Sequence, residues 1–309
     1  MAETTVFVEA SREVSVDPER AWSLLGSATM WSLRPGSFAF DAETADSEPI
    51  RCVLNARGTV VGGSVLTRRR DQPGVAATWA FGGRSDEVTF SVGPHRRGAV
   101  IGVALKMAVN RAAARYQKQD VDRILRVWLI RAANVLEGRE PWPEGMPADV
   151  RQACAASPPL GPMHSVSESV LIAAPVSVVW KAVGAPGTVW LDDDRELVAC
   201  GHVPGTPVQQ PGEMQFFVSR TSDGQLGLSP LFVSEIADQR SAVTHTVPHQ
   251  LEIAYLLTAE PEGTRLELTA RWPDAVLAKE PQGEREMTAI LQSTASAYKS
   301  AIEESGTGA

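Results

Sequence analysis

The residue best suited to chemistry in a buried site is His245, in the segment Val243-Thr244-His245-Thr246-Val247. Alternate side chains of a β-strand share a face, so His245 lies with Val243 and Val247 on an apolar face. A histidine there is either a cavity base or hydrogen-bond donor to a ligand, or a core side chain bonded to a neighbour. His249 lies in the following turn, and this spacing does not aim both rings at one metal ion. His245 is therefore the one catalytic candidate, and no metal site is predicted.

The remaining polar clusters favour structural roles. Asp192-Asp193-Asp194 lacks further ligands at calcium-loop spacing, and we interpret it as a hydrated loop. Arg68-Arg69-Arg70 precedes a turn and is either a solvated hairpin tip or a contact for an acidic surface or an anionic ligand. The cysteines Cys52, Cys154 and Cys200 are too far apart for a zinc site or a disulfide framework. No Ser-His-Asp order, phosphate-binding glycine loop or HExxH motif occurs, so no cofactor is predicted.

Aromatic side chains on alternating strands give the stronger indication of a binding site. Each shares a strand face with other apolar residues, and we expect these faces to point at a long helix. Most side chains of this kind are core, and some are expected to line a ligand cavity. With His245, the predicted ligand-binding residues are Phe38, Phe40, Trp79, Phe216, Phe232, Tyr255 and Trp272.

The elements that must position these residues occur twice. Val14-Ser15-Val16-Asp17-Pro18-Glu19-Arg20-Ala21-Trp22 and Leu171-Ile172-Ala173-Ala174-Pro175-Val176-Ser177-Val178-Val179-Trp180 each predict a strand, a proline and a short helix with a tryptophan. A second tryptophan follows each segment, Trp31 and Trp190. Proline-rich residues 140–163 are predicted to be a semi-rigid linker. The predicted domains are therefore residues 1–139 and 164–309.

After each repeat segment, alternating residues predict a meander of strands and then a long helix. The predicted strands are 36–43, 49–57, 59–70, 75–81 and 85–92 in the first half, and 195–203, 213–221, 225–237, 240–247, 250–259 and 263–272 in the second. The last helix is predicted from about Gly283 to Glu304. Residues 98–137 lack proline, and they predict one helix of nearly 40 residues in which Trp128 is buried.

Charge and hydropathy exclude several classes of protein. Residues 1–157 hold 20 basic and 18 acidic side chains, a net +2, and residues 158–309 hold 9 and 19, a net −10. An acidic half disfavours nucleic acid as a partner. No apolar stretch is long enough to span a membrane, and the first residues predict no signal peptide. With few cysteines, these features predict a cytoplasmic protein.

The two segments at 14–22 and 171–180 resemble the first strand and helix of the START/SRPBCC superfamily, which includes polyketide cyclases. The resemblance implies an α+β protein of two tandem helix-grip domains, each a curved antiparallel sheet wrapped around a long C-terminal helix. It extends over nearly the whole chain. In type it is closest to the double helix-grip proteins of enediyne antibiotic gene clusters. Trp22 and Trp180 stand where didomain aromatase/cyclases have another helix sequence, so no catalytic residue is carried over.

Two functions follow from the resemblance. The first is binding of a large hydrophobic, polycyclic, polyketide-type or enediyne-like small molecule, for sequestration, self-resistance or biosynthetic handling. Other proteins of the same biosynthetic cluster would then be possible partners. The alternative is a didomain polyketide cyclase or aromatase that steers folding of the chain and supplies one acid/base group. The shortage of titratable residues on the predicted cavity faces favours binding over catalysis.

Overall fold

A computed structural model describes residues 3–44, 49–58, 60–81, 86–111, 114–156, 161–190, 195–247, 250–273 and 283–306. The chain divides into two compact units, the first formed mainly by residues 1–150 and the second mainly by residues 151–309. The domain bounds 1–139 and 164–309 stay a prediction.

The first unit contains a seven-stranded antiparallel sheet in the order β1-β7-β6-β5-β4-β3-β2. Its strands are β1 (Glu3–Val14), β2 (Ser37–Glu43), β3 (Pro49–Arg57), β4 (Val60–Gln72), β5 (Ala76–Phe81), β6 (Glu87–His95) and β7 (Gly98–Asn110). Helices α1 (Pro18–Leu25) and α2 (Thr29–Ser32) follow β1, and α3 (Ala114–Leu136) follows β7. Asp17 caps α1 by accepting the N–H of Arg20, with Pro18 in the first turn, as its sequence predicts.

The second unit repeats this order, with its sheet arranged β8-β14-β13-β12-β11-β10-β9. Its strands are β8 (Met163–Ile172), β9 (Arg195–His202), β10 (Met214–Thr221), β11 (Leu226–Ala237), β12 (Ser241–Thr246), β13 (Glu252–Glu260) and β14 (Gly263–Pro273). Its helices are α5 (Val176–Gly184) and α6 (Gly283–Gly306). A further helix, α4 (Ala148–Ala155), lies within the stretch predicted as a linker.

In both units the first and last strands pair, and the long last helix packs along them, α3 on β1 and β7 and α6 on β8 and β14. Both units have the helix-grip fold. The predicted α+β class with two tandem domains of this kind is therefore confirmed.

A matched pair of glycines shows how closely the two units repeat. Gly98 and Gly263 begin β7 and β14 with φ of 146° and 147°. A Cβ atom on Gly98 would lie 2.3 Å from the Val14 carbonyl oxygen, and one on Gly263 would lie 2.1 Å from that of Ile172. Only glycine combines this backbone with this close approach, so both positions fix the turn into the last strand.

The predicted helix of nearly 40 residues is wrong, because residues 98–110 form β7. Ala99, Ile101 and Val103 are buried in alternation, as strand residues on one face are. The absence of proline from this stretch permits a helix and does not require one. The remaining α3 has 23 residues and α6 has 24, so neither overshoots its sheet. Trp128 is 4% exposed within the first unit, and its predicted burial is confirmed.

Candidate ligand-binding cavity

The second unit contains a cavity of about 760 Å³ between its sheet and the helices α5 and α6. Apolar side chains from three elements form most of its wall: Trp180 and Val183 on α5, Phe217 and Val233 on the sheet, and Ile290 on α6. Small-molecule pockets typically have volumes of about 300 to 1,000 Å³ with such walls. The prediction of an apolar cavity under the long helix of at least one half is confirmed.

One wall is formed by the segment that follows α5, which includes Trp190. The Trp190 indole stacks on Phe217 with ring centroids 6.2 Å apart and planes 18° apart. Its Nε1–H donates to the carbonyl oxygen of Arg195 at 2.9 Å. Because both the ring face and the N–H are occupied, Trp190 is held as a fixed part of the wall.

The corresponding space in the first unit is filled by aromatic rings. Trp128 on α3 lies edge-to-face against Trp31 and Phe90, with centroids 5.4 and 5.2 Å away. Its Nε1–H donates to the Met30 carbonyl oxygen at 2.5 Å. All three rings are nearly inaccessible to solvent, so this region of the first unit is a packed core.

The repeat explains why one unit is packed and the other hollow. Glu137 and Glu303, at the C-terminal ends of α3 and α6, each accept a backbone N–H that follows the first strand of their unit, at 3.0 and 2.9 Å. The position nine residues before each glutamate is Trp128 in the first unit and Thr294 in the second. Thr294 lines the cavity. A tryptophan in one unit is thus a threonine in the other, and the missing indole volume contributes to the cavity.

A buried carboxyl group, Glu213, lies at one end of the cavity and is 2% exposed. Its Oε2 accepts the backbone N–H of Gln209 at 2.5 Å, and its Oε1 accepts the Gln215 Nε2–H at 2.8 Å. The Nδ1 atom of His202 lies 3.0 Å from Oε1. These contacts fix the orientation of the carboxyl group beside the cavity.

Three hydroxyl groups form a second polar region, away from Glu213. Tyr255 on β13 is hydrogen-bonded to Tyr298 on α6 and to Thr244 on β12, and all three line the cavity. Burial raises the pKa of Tyr255 above its ordinary value of 10.0. Burial also raises the pKa of Tyr298, well above that value, and the neighbouring Tyr255 adds to the effect. Both phenols therefore keep their protons at neutral pH and are hydrogen-bonding groups.

Of the predicted binding residues in the second unit, Tyr255 lines the cavity and the others do not. Phe216, Phe232 and His245 lie on the opposite face of their strands, because their neighbours Phe217, Val233 and Thr244 face the cavity. His245 is buried, with Nε2 3.4 Å from the Cys154 carbonyl oxygen and its ring 5.3 Å from that of Phe232. Trp272 is buried in the core and stacks with His164.

The expectation that the most apolar face points at the helix was wrong for β10, β11 and β12, whereas Tyr255 on β13 and Trp272 on β14 pack in the core that contains α6. Met214, Phe216 and Val218 are buried on the face away from the cavity, whereas the cavity face of β10 carries Gln215 beside Phe217. When both faces of a strand are buried, apolarity alone does not identify the concave one.

In the first unit, Trp79 points at α3 as expected, but it is part of the packed core. The guanidinium of Arg51 lies 4.2 Å from the centre of its ring. Phe38 and Phe40 are buried against each other, with centroids 5.9 Å apart. Ala39 between them belongs to the core that contains α3, so strand alternation places both phenylalanines on the opposite face.

The polar clusters singled out in the sequence contribute nothing to the cavity within the described residues. Asp192-Asp193-Asp194 and His249 lie outside those residues. Arg69 and Arg70 are exposed, and Arg68 pairs with Asp71 at 3.0 Å. The thiols of Cys52 and Cys154 are buried, and burial raises the pKa of Cys52 to about 12 and that of Cys154 to about 11.

Sequence reasoning missed most of the side chains that line the cavity, among them Glu213, Gln215, Thr294 and Tyr298. Tyr298 had a usable signal, since it is an aromatic residue on the apolar face of the last helix. Glu213 directly follows a Pro-Gly turn and was indistinguishable from a solvated strand end.

Neither a scan against protein-family models nor a search of curated proteins found a match. Among solved structures, the chain is similar to the di-domain ARO/CYC StfQ from the steffimycin biosynthetic pathway, at 11% identity and a TM-score of 0.37, covering 98% of this chain and 99% of that one. The di-domain ARO/CYC BexL from the BE-7585A pathway is 16% identical at a TM-score of 0.34, covering 98% of both chains. An AHSA1-like protein from Aeromonas hydrophila is 16% identical at 0.36, covering 46% of this chain and 94% of that one. At these scores the fold assignment rests on the strand order and helix placement described above.

No helix within the described ranges is long and apolar enough to cross a membrane. Across the same part of the chain, no group of three or more His, Cys, Asp or Glu side chains is arranged to hold a metal ion.

Proposed function

We propose that the second unit binds one hydrophobic small molecule in its cavity. The observation that carries this proposal is the 760 Å³ space lined by Trp180, Trp190 and Phe217, which the first unit fills with its own rings. Leaving this much apolar surface unfilled costs packing energy, which a bound ligand of matching shape restores. A packed first unit and a hollow second unit together give one binding site per chain.

The ligand class we propose is a polycyclic, polyketide-type molecule, enediyne-like in type. The resemblance of the two proline–tryptophan segments to the polyketide cyclase group supports this class, and flat aromatic walls suit flat fused rings. In this role the protein sequesters the compound, protects its producer from it, or hands it to other proteins of the same biosynthetic cluster.

Native mass spectrometry of the full chain with 2,6-dihydroxyanthraquinone, a fused-ring probe, tests the proposal. The expected result is one probe per chain that saturates at a single stoichiometry. Absence of any bound probe would contradict it, and two equivalent probes per chain would contradict the assignment to the second unit.

A cyclase function is the second candidate, because the cavity contains a buried carboxyl group as well as phenols. In an intramolecular aldol step, Glu213 would remove a proton from the carbon between two carbonyls, and that carbon would attack a third carbonyl. The protonated Glu213 would then return its proton to the alkoxide formed at the third carbonyl, and loss of water would follow. Tyr255 and Tyr298, at the other end of the cavity, would hydrogen-bond an oxygen elsewhere on the same molecule. Binding returns the ligand unchanged, whereas this reaction yields a product lighter by one water. Mass analysis after incubation with a β-polyketone thioester distinguishes the two functions. If the protein is a cyclase, wild type forms the dehydrated product and Glu213→Gln does not.

A further inference from the structure

Two of the polar regions of the cavity, at Glu213 and at the tyrosine pair, are separated along the sheet. Further polar side chains also line the cavity: Gln209, Gln215, Ser229, Glu286 and Thr294. Glu213 lies level with Val233, whose N–H donates to the Glu213 carbonyl oxygen at 2.9 Å, and Val233 pairs with Thr244 on the next strand. Tyr255 is on the strand after that, paired with Ala242. Three strand spacings of about 4.8 Å place Glu213 and Tyr255 about 14 Å apart across the strands, and the two residues from Thr244 to Ala242 add about 7 Å along them. Apolar side chains, among them Leu231 and Val233, occupy the wall between them.

The two polar regions differ in what they offer a ligand. The Glu213 carboxyl group is held by N–H donors from the protein, and its remaining lone pairs accept a hydrogen bond from an O–H. The hydroxyl groups of Tyr255 and Tyr298 rotate, so they donate to or accept from a ligand oxygen. The Thr244 hydroxyl donates to the Ile253 carbonyl oxygen at 3.3 Å and can accept a further hydrogen bond. The first unit lacks a tyrosine at the position of Tyr255. When the units are aligned on Gly98 and Gly263, the residue eight positions earlier is Phe90 in the first unit and Tyr255 in the second.

We propose that the cavity selects a molecule with an apolar fused-ring middle, a hydroxyl group at one end that donates to Glu213, and an oxygen at the other end that bonds to Tyr255 and Tyr298. This inference rests on the proposed binding function and specifies its ligand. A ligand that enters the cavity displaces water from these polar groups. A ligand without the two oxygens would not replace the lost hydrogen bonds, and it would therefore bind more weakly.

Four related probes test the inference on the intact wild-type chain: anthracene, 2-hydroxyanthracene, 2,6-dihydroxyanthracene and 2,6-dimethoxyanthracene. They share one ring system and differ in their oxygens and O–H donors. The dissociation constant of each is measured from the probe's own fluorescence. We expect the dihydroxy probe to bind about tenfold more tightly than both anthracene and the dimethoxy probe, as one added hydrogen bond to a charged group provides.

Three variants then assign the two ends. Glu213→Gln keeps the shape of the side chain and is expected to weaken the dihydroxy probe about tenfold while leaving anthracene unchanged. Tyr255→Phe and Tyr298→Phe are expected to weaken the dihydroxy probe about threefold to fivefold each, as loss of a neutral hydrogen bond does. Circular dichroism and thermal unfolding of each variant establish that it is folded.

The outcomes separate this inference from the function on which it rests. If all four probes bind with equal affinity to wild type, the binding function stands and the polar selection is wrong. If the dihydroxy probe is preferred but no variant changes the preference, the assignment to Glu213 and the tyrosines is wrong. If no probe binds, the proposed function itself fails.

Discussion

Tyr298 on α6 and Tyr255 on β13 are hydrogen-bonded to each other inside the second unit's cavity, and burial raises the pKa of both. The pair joins the long helix to the sheet at the place where the first unit has aromatic packing instead. A hydrogen bond between hydroxyls satisfies buried polar atoms without filling the space around them. This contact therefore stabilises a helix above a hollow interior.

The tyrosine pair predicts a specific dependence of stability on pH. Because the pKa values in the folded state lie above 10.0, the folded protein keeps protons that the unfolded chain releases. The stabilisation is present below pH 10 and is lost as the pH rises through the folded-state values, by about 1.4 kcal/mol per unit of pKa difference. Chemical denaturation of wild type and Tyr298→Phe across this range measures it, with the exposed Tyr116→Phe as control. Equal pH dependence in wild type and Tyr298→Phe would contradict the assignment.

Truncation of Trp128 tests the packed core of the first unit. Trp128→Ala removes a buried indole that contacts two rings and donates to Met30, and we expect it to lower the free energy of unfolding by about 3–5 kcal/mol. Tyr116→Ala, on the same helix at 72% exposure, should change it by no more than about 0.5 kcal/mol. Similar values for the two variants, from urea denaturation, would show that the core assignment is wrong.

The paired glycines predict equal sensitivity at two distant positions. Gly98→Ala and Gly263→Ala each place a Cβ within 2.3 Å or less of a carbonyl oxygen in a backbone that disfavours it, so we expect each to cost at least about 3 kcal/mol. Gly93→Ala is the control, because a Cβ there meets no atom within 4 Å. Thermal unfolding measures all three. A tolerated alanine at either Gly98 or Gly263 would show that the repeat does not impose this turn.

The repeat and most of the strands were accessible from sequence because local signals agree there. Asp17-Pro18 and Pro175 mark helix starts, and alternating residues such as Leu266, Leu268 and Ala270 mark strands that are buried on one face. Residues 98–110 were misassigned because an Ala-, Val- and Gly-rich stretch has no polar alternation to separate strand from helix.

The cavity itself was accessible only in outline. Which face of β10 and β12 is concave depends on what covers the other face, and that is a long-range contact with no local signature. The sequence around Thr294 does not show that its position in the second unit corresponds to that of Trp128 in the first. The helices must first be aligned on Glu137 and Glu303, and the contacts of those glutamates are visible only in the structure.

Thr294→Trp tests most directly whether the cavity of the second unit binds a ligand. This change places in the second unit the side chain that fills the first. The measurement is a fluorescence titration with 1-anilinonaphthalene-8-sulfonate of wild type, Thr294→Trp and the exposed control Ser296→Trp. We predict one saturable site in wild type and Ser296→Trp, and at least about tenfold weaker binding in a folded Thr294→Trp, a difference of about 1.4 kcal/mol. Unchanged affinity in Thr294→Trp, or no saturable binding to wild type, would contradict the account.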